Sequence, residues 1–366
     1  MEAPTVDGVV DEMRGLRALG WDDRWAEEAA TLSADLVPAR VAAVDRAACD
    51  VLAEDGALRV TFGGDLLEAI AEDPVAGPCT GDWALVRRWS DGRDTIESLL
   101  PRRTAVVRAS ASRTSHGQVL AANVDVVLVV AALSVEPDLG RIERLLALAW
   151  ESGAQPAVVL TKADLVSDAA DVAADVAGAA PGVPVLVVSA VSGEGMRELA
   201  DLAGPGRTLA LLGQSGVGKS TLVNALLGTD RQAVADIGVV GKGRHTTVRR
   251  ELVALPSGGL LIDTPGLRGV GLVDVEEGLE QVFQDIEGLA AHCRFGDCSH
   301  TAEPGCAVLA AVADGELPVR RLESWRKLGR EARWMAGRTD ARIRLAEKAK
   351  WKAIHKSARQ AGVVRP

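Results

Sequence analysis

The 366-residue sequence predicts a multidomain chain: a small N-terminal β-barrel, a central α/β domain with a doubly wound parallel sheet, and a mostly helical C-terminal domain. Three observations predict it. Short β-like runs separated by Gly-, Asp- and Pro-containing turns fill residues 37 to 103. Nearly unbroken valine- and leucine-rich runs then alternate with helical patterns, as buried parallel strands and their crossovers do. Beyond residue 276 helical spacing returns around a cluster of three cysteines and a histidine. The expected divisions are 1–36, 37–103, 104–275 and 276–366.

In chain order, residues 1–36 hold one short amphipathic stretch around Leu16, Leu19, Trp21 and Trp25, an expected weakly ordered extension that docks a single helix. Arg40 to Val44, Ala57 to Phe62 and Trp83 to Val86 are the strand candidates of the barrel, whose size suits an OB-fold. Such barrels often bind RNA or single strands, and composition alone does not separate this one from other small barrels. Cys49 and Cys79 lack ligand spacing and are expected to be ordinary thiols. Leu99 to Arg108 is expected to be a linker. Val124 to Ala131 is a central parallel strand, Leu139 to Gly153 a helix, and Pro156 to Leu160 a second buried strand. Strand–helix alternation continues through the Ala-rich helix from Ala169 to Ala180, Val185 to Val188, and Leu209 to Leu212.

Composition narrows the function classes. Nearly half the residues are hydrophobic and a quarter charged, and no segment approaches the ~20 uninterrupted apolar residues of a membrane span. Together with an N-terminus that lacks a charged-then-apolar leader, this makes a cytoplasmic protein without a membrane partner the expectation. From Arg320 to Pro366 fifteen Lys/Arg face four Asp/Glu, so this tail carries +11 of a net charge of −10 and the rest carries −21. Such asymmetry points to a polyanion-binding tail on an acidic body, with a solvated helix of mixed charge as the plainer alternative.

The stretch around which the chain is organised is Gly213-Gln214-Ser215-Gly216-Val217-Gly218-Lys219-Ser220, followed by Thr221. It sits between an apolar strand candidate and an apolar-periodic helix, the context that a phosphate-binding P-loop requires. Glycines let successive backbone N–H groups curl around a phosphate, and the helix N-terminus adds its positive dipole end. Lys219 is placed to reach the β- and γ-phosphates and Ser220 to offer its hydroxyl to Mg²⁺. Upstream, Thr161-Lys162-Ala163-Asp164 ends a buried strand, where α/β sheets place ligand contacts. A carboxylate there accepts the N1–H and N2–H₂ of guanine, donors that adenine lacks, and the lysine stem lies along base and ribose. Ser189 and Ala190, in Ser189-Ala190-Val191-Ser192, sit where a second base-contacting loop belongs; a plain strand-to-helix cap competes for this tetrapeptide.

Downstream, Gly241 to Thr247 is a glycine-rich, basic loop whose Thr246 and Thr247 suit Mg²⁺ and the γ-phosphate as a switch segment. Asp263-Thr264-Pro265-Gly266 follows a further strand: Asp263 suits Mg²⁺ through water, and the Gly266 N–H suits the γ-phosphate. These are the motifs of Ras-type GTPases in rotated order, base-recognition motifs first, so the domain is expected to be circularly permuted. Permutation is allowed because termini lie at the surface. It leads the chain from the second switch directly into the C-terminal domain.

That domain holds Cys293-x₄-Cys298-x-His300-x₅-Cys306. Three thiolates and one imidazole complete a tetrahedral set, as in closed structural zinc sites, and leave no position for a catalytic water. His292 adjoins a set already full, and His116 and His355 have no partners. Toward the end of the chain Trp351 stands among Lys348, Lys350, Lys352 and Lys356, a mixture suited to base stacking with phosphate contacts or to packing on the body.

On Gly81-Asp82-Trp83, Leu100-Pro101-Arg102-Arg103, Ala121 to Asp125, the P-loop through Thr221, Gly241 to Thr247, Asp263 to Gly266 and the Cys293–Cys306 cluster, the chain resembles the RsgA (YjeQ) family of circularly permuted GTPases, which act in assembly of the small ribosomal subunit. The resemblance spans about residues 37 to 330. It implies an N-terminal OB-fold, a permuted GTPase with GTP or GDP and Mg²⁺, one structural zinc per chain, and GTP hydrolysis stimulated by the small subunit and its rRNA; a monomer is expected. Thr161 stands where the family often has Asn, a departure expected to loosen the hydrogen bonding between loops. Ras-type enzymes orient the attacking water with a Gln shortly after D-x-x-G, and here Leu267 follows Gly266. His245 is therefore the candidate catalytic residue, against the plainer readings that it contacts RNA or caps its loop. Two rival functions stand: a P-loop ATPase or small-molecule kinase, opposed by Asp164, and a non-enzymatic RNA-binding assembly factor gated by GTP.

Overall fold

Alternation of buried and half-exposed residues along Cys49-Asp50-Val51-Leu52-Ala53 shows how the first part of the chain folds: a sheet with one apolar face must close on that face or cover it. In the computed structural model, which describes residues 15–32, 35–108, 118–228, 250–263 and 275–339, it closes. Strands β1 (Val37–Val44), β2 (Cys49–Ala53), β3 (Gly56–Phe62), β4 (Trp83–Arg87) and β5 (Thr95–Leu99) form a closed barrel in the order β1-β2-β3-β5-β4, with β1 also pairing β4. All its ladders are antiparallel except β3 with β5. That parallel pair is reached through the helix Gly64–Glu72 and β4. This is the five-stranded barrel of an OB-fold. Val41, Val51, Val60, Ala84, Val86 and Ile96 fill it, and Leu66 of the helix covers it.

The stretch expected to be a linker contains a strand. β6 (Ala105–Arg108) pairs antiparallel with β7 (Gln118–Ala122) as a separate two-stranded sheet. Val106 and the Leu120–Ala122 run are buried, which a solvated linker does not require.

The valine-rich run becomes β8 (Val126–Ala132), the centre of a six-stranded sheet. With β9 (Gln155–Thr161), β10 (Val185–Val187), β11 (Thr208–Gly213), β12 (Leu252–Ala254) and β13 (Leu260–Ile262) the order is β10-β9-β8-β11-β13-β12. Every pair is parallel except the β12–β13 edge. One face of β8, β9 and β11 (Val126, Leu128, Val130, Ala157, Val159, Leu209, Leu211) packs on Leu199 and Ala203 and on Leu222, Val223 and Leu226 of the helix Lys219–Leu227. The other face, including Val127, Val129, Val158 and Leu160, is equally buried. Both faces covered is the reason these strands are apolar without alternation.

The described part of the N-terminal extension is fixed on this body. Asp22 accepts the Trp25 N–H at 2.9 Å at the head of the helix Asp23–Leu32, Trp25 is buried, and the Trp21 ring meets Trp83 edge-on at 4.7 Å. Arg103 clasps the Asp22 carboxylate with both terminal nitrogens, at 2.6 and 2.9 Å, and lies 3.7 Å over the Trp25 ring. Those hydrogen bonds hold Asp22 below the usual carboxylate range.

By its own contacts the chain divides into two compact units, one holding the barrel and the sheet, the other the described residues 275–339. The second consists of the helices Glu276–Val282, Gln284–Ala290, Ala307–Ala313 and Val319–Thr339. The apolar spacing from Arg320 to Arg330 predicts a helix there, and the last helix runs further, from Val319 to Thr339. Arg321 is buried there, bidentate to Asp285 at 2.9 Å through two nitrogens and stacked 4.6 Å over Phe283. Among the described residues no helix is long and apolar enough to cross a membrane.

Candidate functional site: a phosphate loop, a base pocket and a four-ligand cluster

The loop from Gly213 to Gly218 connects β11 to the helix that begins at Lys219. Gly218 stands at the head of that helix with φ +94°, a conformation that a side chain strains and glycine takes freely. Lys219 is buried. Its ammonium donates to the Gly213 carbonyl at 2.8 Å and the Gln214 carbonyl at 2.6 Å. Of its three N–H groups, one is left for a phosphate oxygen. Burial pulls Lys219 below the ordinary lysine range, and the Asp263 carboxylate opposes that pull. Asp263, which directly follows β13, therefore lies within electrostatic reach of the phosphate loop. A hydroxyl at Ser220 and a carboxylate at Asp263 are the hard oxygen donors that Mg²⁺ takes.

The Thr161–Asp164 segment caps the C-terminal end of β9 beside this loop. Thr161 donates its hydroxyl to the Val217 carbonyl at 2.6 Å, with the Ala131 carbonyl at 3.2 Å as its alternative. This bond ties the two loops through the one hydroxyl proton that threonine has. Lys162 adopts the left-handed conformation at φ 63° and donates Nζ to the Gly216 carbonyl at 3.0 Å, laying its stem along the loop. Asp164 is exposed, and the Ser189 hydroxyl donates to its Oδ1 at 2.6 Å. Ser189 Oγ also accepts the N–H groups of Val191 and Ser192 at 3.2 and 3.1 Å. The serine closes its own turn and is the partner of Asp164, while the helix that follows, from Met196, is headed by Gly195 rather than by this tetrapeptide. Ala190 follows it in the same loop.

In the second unit one ligand atom from each of Cys293, Cys298, His300 and Cys306 lies within 4.8 Å of the others. Cys293 Sγ is 3.8 Å from Cys306 Sγ and 3.6 Å from His300 Nδ1, and His300 Nδ1 is 3.4 Å from Cys306 Sγ. A tetrahedral zinc with bonds of about 2.3 Å to sulfur and about 2.0–2.1 Å to nitrogen has S···S edges near ~3.8 Å and S···N edges near ~3.6 Å. The residues therefore fit the ion. Cys306 Sγ also accepts the Leu309 N–H at 3.4 Å at the head of its helix. His300 is buried with φ 54°, its ring edge-on to Trp325 at 5.4 Å. Its carbonyl accepts from Arg326.

His245, Thr246, Thr247 and Gly266 lie outside the described residues, as does the basic stretch around Trp351. Thr221 is in the first turn of the P-loop helix. Sequence reasoning gave no role to the residues that join barrel and sheet. Asp82 is fully buried and bidentate to Arg102 at 2.8 Å for each bond; that ion pair lifts Arg102 against the pull of its burial. Asn123 accepts the Arg103 N–H at 2.9 Å and donates to the Gly81 carbonyl at 3.2 Å. All five belong to motifs quoted for the resemblance, but pairings twenty to forty residues apart leave no local pattern to find.

A phosphate loop after a central parallel strand, an aspartate held at the end of another, and the rotated order of the two define a P-loop nucleotide-binding protein of permuted topology, with a barrel in the same unit. Residues 99–273 match the RsgA GTPase family. The chain is 55% identical over 356 residues to the small ribosomal subunit biogenesis GTPase RsgA of Streptomyces coelicolor, covering 94% of this chain and 95% of that protein. It is 44% identical to the protein so named in Opitutus terrae, over 94% and 97% of the two chains. Among solved structures it is similar to YjeQ from Thermotoga maritima, with a TM-score of 0.60, 26% identity, and 80% and 97% of the chains covered. It shares the fold of YloQ, described as a circularly permuted GTPase, with a TM-score of 0.56, 24% identity, and 80% and 93% covered. The chain belongs to the RsgA GTPase family.

Proposed function

We propose that the protein hydrolyses GTP to GDP and phosphate on the small ribosomal subunit, assists late maturation of that subunit, and leaves it after hydrolysis. The observation that carries this reading is the constellation around the phosphate loop: Lys219 clamped on loop carbonyls, Thr161 and Lys162 bonded to the same loop, and Asp164 held by Ser189. It unites phosphate binding with a carboxylate suited to guanine, in a chain whose relatives carry the name small ribosomal subunit biogenesis GTPase.

In this reading the residues from Gly213 to Thr221 cradle the phosphates, with Lys219 on the β- and γ-oxygens. Asp164 takes the N1–H and N2–H₂ of guanine, Lys162 lies along the base, and Ser189 and Ala190 wall the pocket. Ser220, Asp263 and the switch threonines Thr246 and Thr247 would hold Mg²⁺, which supplies neutralisation of the phosphate charge. Gly266 offers its N–H to the γ-phosphate, and His245 orients the attacking water when the small subunit is bound. Cys293, Cys298, His300 and Cys306 would hold one structural zinc per chain. The barrel and the basic C-terminal segment contact rRNA, and the protein acts as a cytoplasmic monomer.

The test is GTP hydrolysis by the purified protein with and without purified small subunits, with ATP as control. GTP-only stimulation is the expected result, reduced at least tenfold in His245→Ala. GTP-dependent binding to the subunit without stimulated turnover would leave a nucleotide-gated binding factor instead.

A further inference from the structure

The described chain resumes at Arg250, and its first residues there are held by the barrel. Thr80, in the turn before β4, is buried and donates its hydroxyl to the Arg250 carbonyl at 3.3 Å. Ala43 of β1 forms an isolated antiparallel bridge with Glu251. The Glu251 carbonyl accepts the N–H of Asp263 at 3.4 Å, extending the β12–β13 ladder by one step. Gly81, the next residue of the turn, lies against the far side of the same hairpin. With φ +95°, a Cβ there would fall 2.9 Å from Ile262 Cδ1 and 2.1 Å from the Ala122 carbonyl, so glycine alone permits the approach. The turn itself is pinned: Gly81 N–H donates to the Val41 carbonyl at 2.8 Å and Ala122 N–H to the Thr80 carbonyl at 3.0 Å.

We propose that the Thr80–Gly81 turn of the barrel is a positioning element for Asp263, fixing where its carboxylate stands at the metal edge of the nucleotide site. The inference rests on the function proposed above. β12 is a three-residue strand at the edge of the sheet, with β13 as its one neighbour there. Short edge strands open readily, and a residue just past their end inherits that freedom. Here the barrel supplies the missing second side: Arg250 and Glu251 are bound to it, and Glu251 in turn holds the backbone of Asp263. The path from Thr80 to Asp263 crosses two hydrogen bonds and one peptide unit, without an intervening loop. Thr80 and Gly81 are not expected to touch nucleotide; they set where the carboxylate of Asp263 stands.

The test uses the full chain with a fluorescent, non-hydrolysable GTP analogue, and titrates the Mg²⁺ needed to slow its release. Thr80→Val keeps the shape of the side chain and removes the donor. Loss of one buried hydrogen bond, read at the metal through the placement of Asp263, raises the half-maximal Mg²⁺ about three- to tenfold. Affinity in EDTA stays at the wild-type value, and Thr80→Ser, which retains the hydroxyl, restores the titration. Amide exchange at Asp263 should also quicken in Thr80→Val without any nucleotide. A Thr80→Val titration equal to wild type, or equal weakening with and without Mg²⁺, overturns the positioning role while leaving the function standing. Failure of the wild-type chain to bind the analogue overturns both.

Discussion

In the proposed function Asp164 is the side chain on which the choice of base turns, and its surroundings bear on how. One oxygen is engaged by Ser189 at 2.6 Å, which orients the carboxylate without neutralising it. A carboxylate so held is an acceptor only, and of the purines guanine presents the matching pair of donors. Changing Asp164→Asn keeps the shape and replaces one acceptor by an amide donor. GTP affinity should then fall at least a hundredfold, the scale of a lost charged hydrogen bond plus a new donor–donor clash. Xanthosine triphosphate, with a carbonyl in place of the 2-amino group, should gain relative to GTP. Competition of the two nucleotides for the variant checks this, and retained GTP preference would remove Asp164 from the base pocket. Thr161 teaches a related lesson. Its single hydroxyl proton goes to the phosphate loop at 2.6 Å, so one donor is enough to join the two loops there.

Elements carry the next layer, and the barrel carries a pH dependence of its own. Cys49 and Cys79 are buried, and burial pushes both thiols up to about 12. In the unfolded chain they titrate near their ordinary value of about 8.5. A folded value above the unfolded one means full stability below the unfolded pKa, lost as pH rises toward the folded one. Stability should therefore decline from about pH 9 to about pH 12, at about 1.4 kcal/mol per pH unit for each thiol. The sequence has no tyrosine to obscure that window. Urea midpoints measured from pH 7 to 10.5 check it: Cys49→Ala/Cys79→Ala should begin less stable and decline less steeply. An unchanged slope in the double variant would show that these thiols do not report burial. The same barrel marks the limit of what could be read beforehand. Strands β1, β3 and β4 were legible from their apolar runs, whereas β2 and β5, short and broken by Asp50, Glu97 and Ser98, were not. β6 is four residues long and follows Pro101 and two arginines, so no apolar run of strand length marks it, and its pairing with β7 was not legible. The phosphate loop and the Cys293–Cys306 cluster were fully legible, since each places its chemistry within one short stretch. The Asp82–Arg102 pair was quoted as a motif without a role, since its meaning depends on a fold that brings residues twenty apart together.

At the scale of the whole unit, Arg40 does for packing what the Thr80 turn does for the site. It is a buried cation 5.0 Å from the Trp83 ring. Its guanidinium donates to the Leu19 carbonyl at 3.0 Å, the Asn123 carbonyl at 2.9 Å and the Thr208 hydroxyl at 3.3 Å. One side chain of the barrel thus holds the N-terminal segment, the turn before β8 and the first residue of the strand that ends in the phosphate loop. Burial pulls its pKa down to about 10, with Asp125 and Asp82 opposing, so it stays charged at neutral pH and its charge is balanced by those carboxylates. Arg40→Met removes the charge while keeping an apolar stem, and strips partners from three buried oxygens. At about 1–3 kcal/mol for each unsatisfied group, less what water recovers, the loss should be about 3 kcal/mol. Its location matters more than its size. In the wild-type chain, peptides from β1–β5 and from β11 should exchange their amides with one common opening free energy, because barrel and sheet share this interlock. In Arg40→Met the barrel peptides should open at lower free energy than β11, uncoupling the two. If both sets of peptides weaken together, Arg40 is only one of many equivalent contacts, and the cooperativity of barrel and sheet resides in the Gly81–Asn123 and Asp82–Arg102 bonds instead.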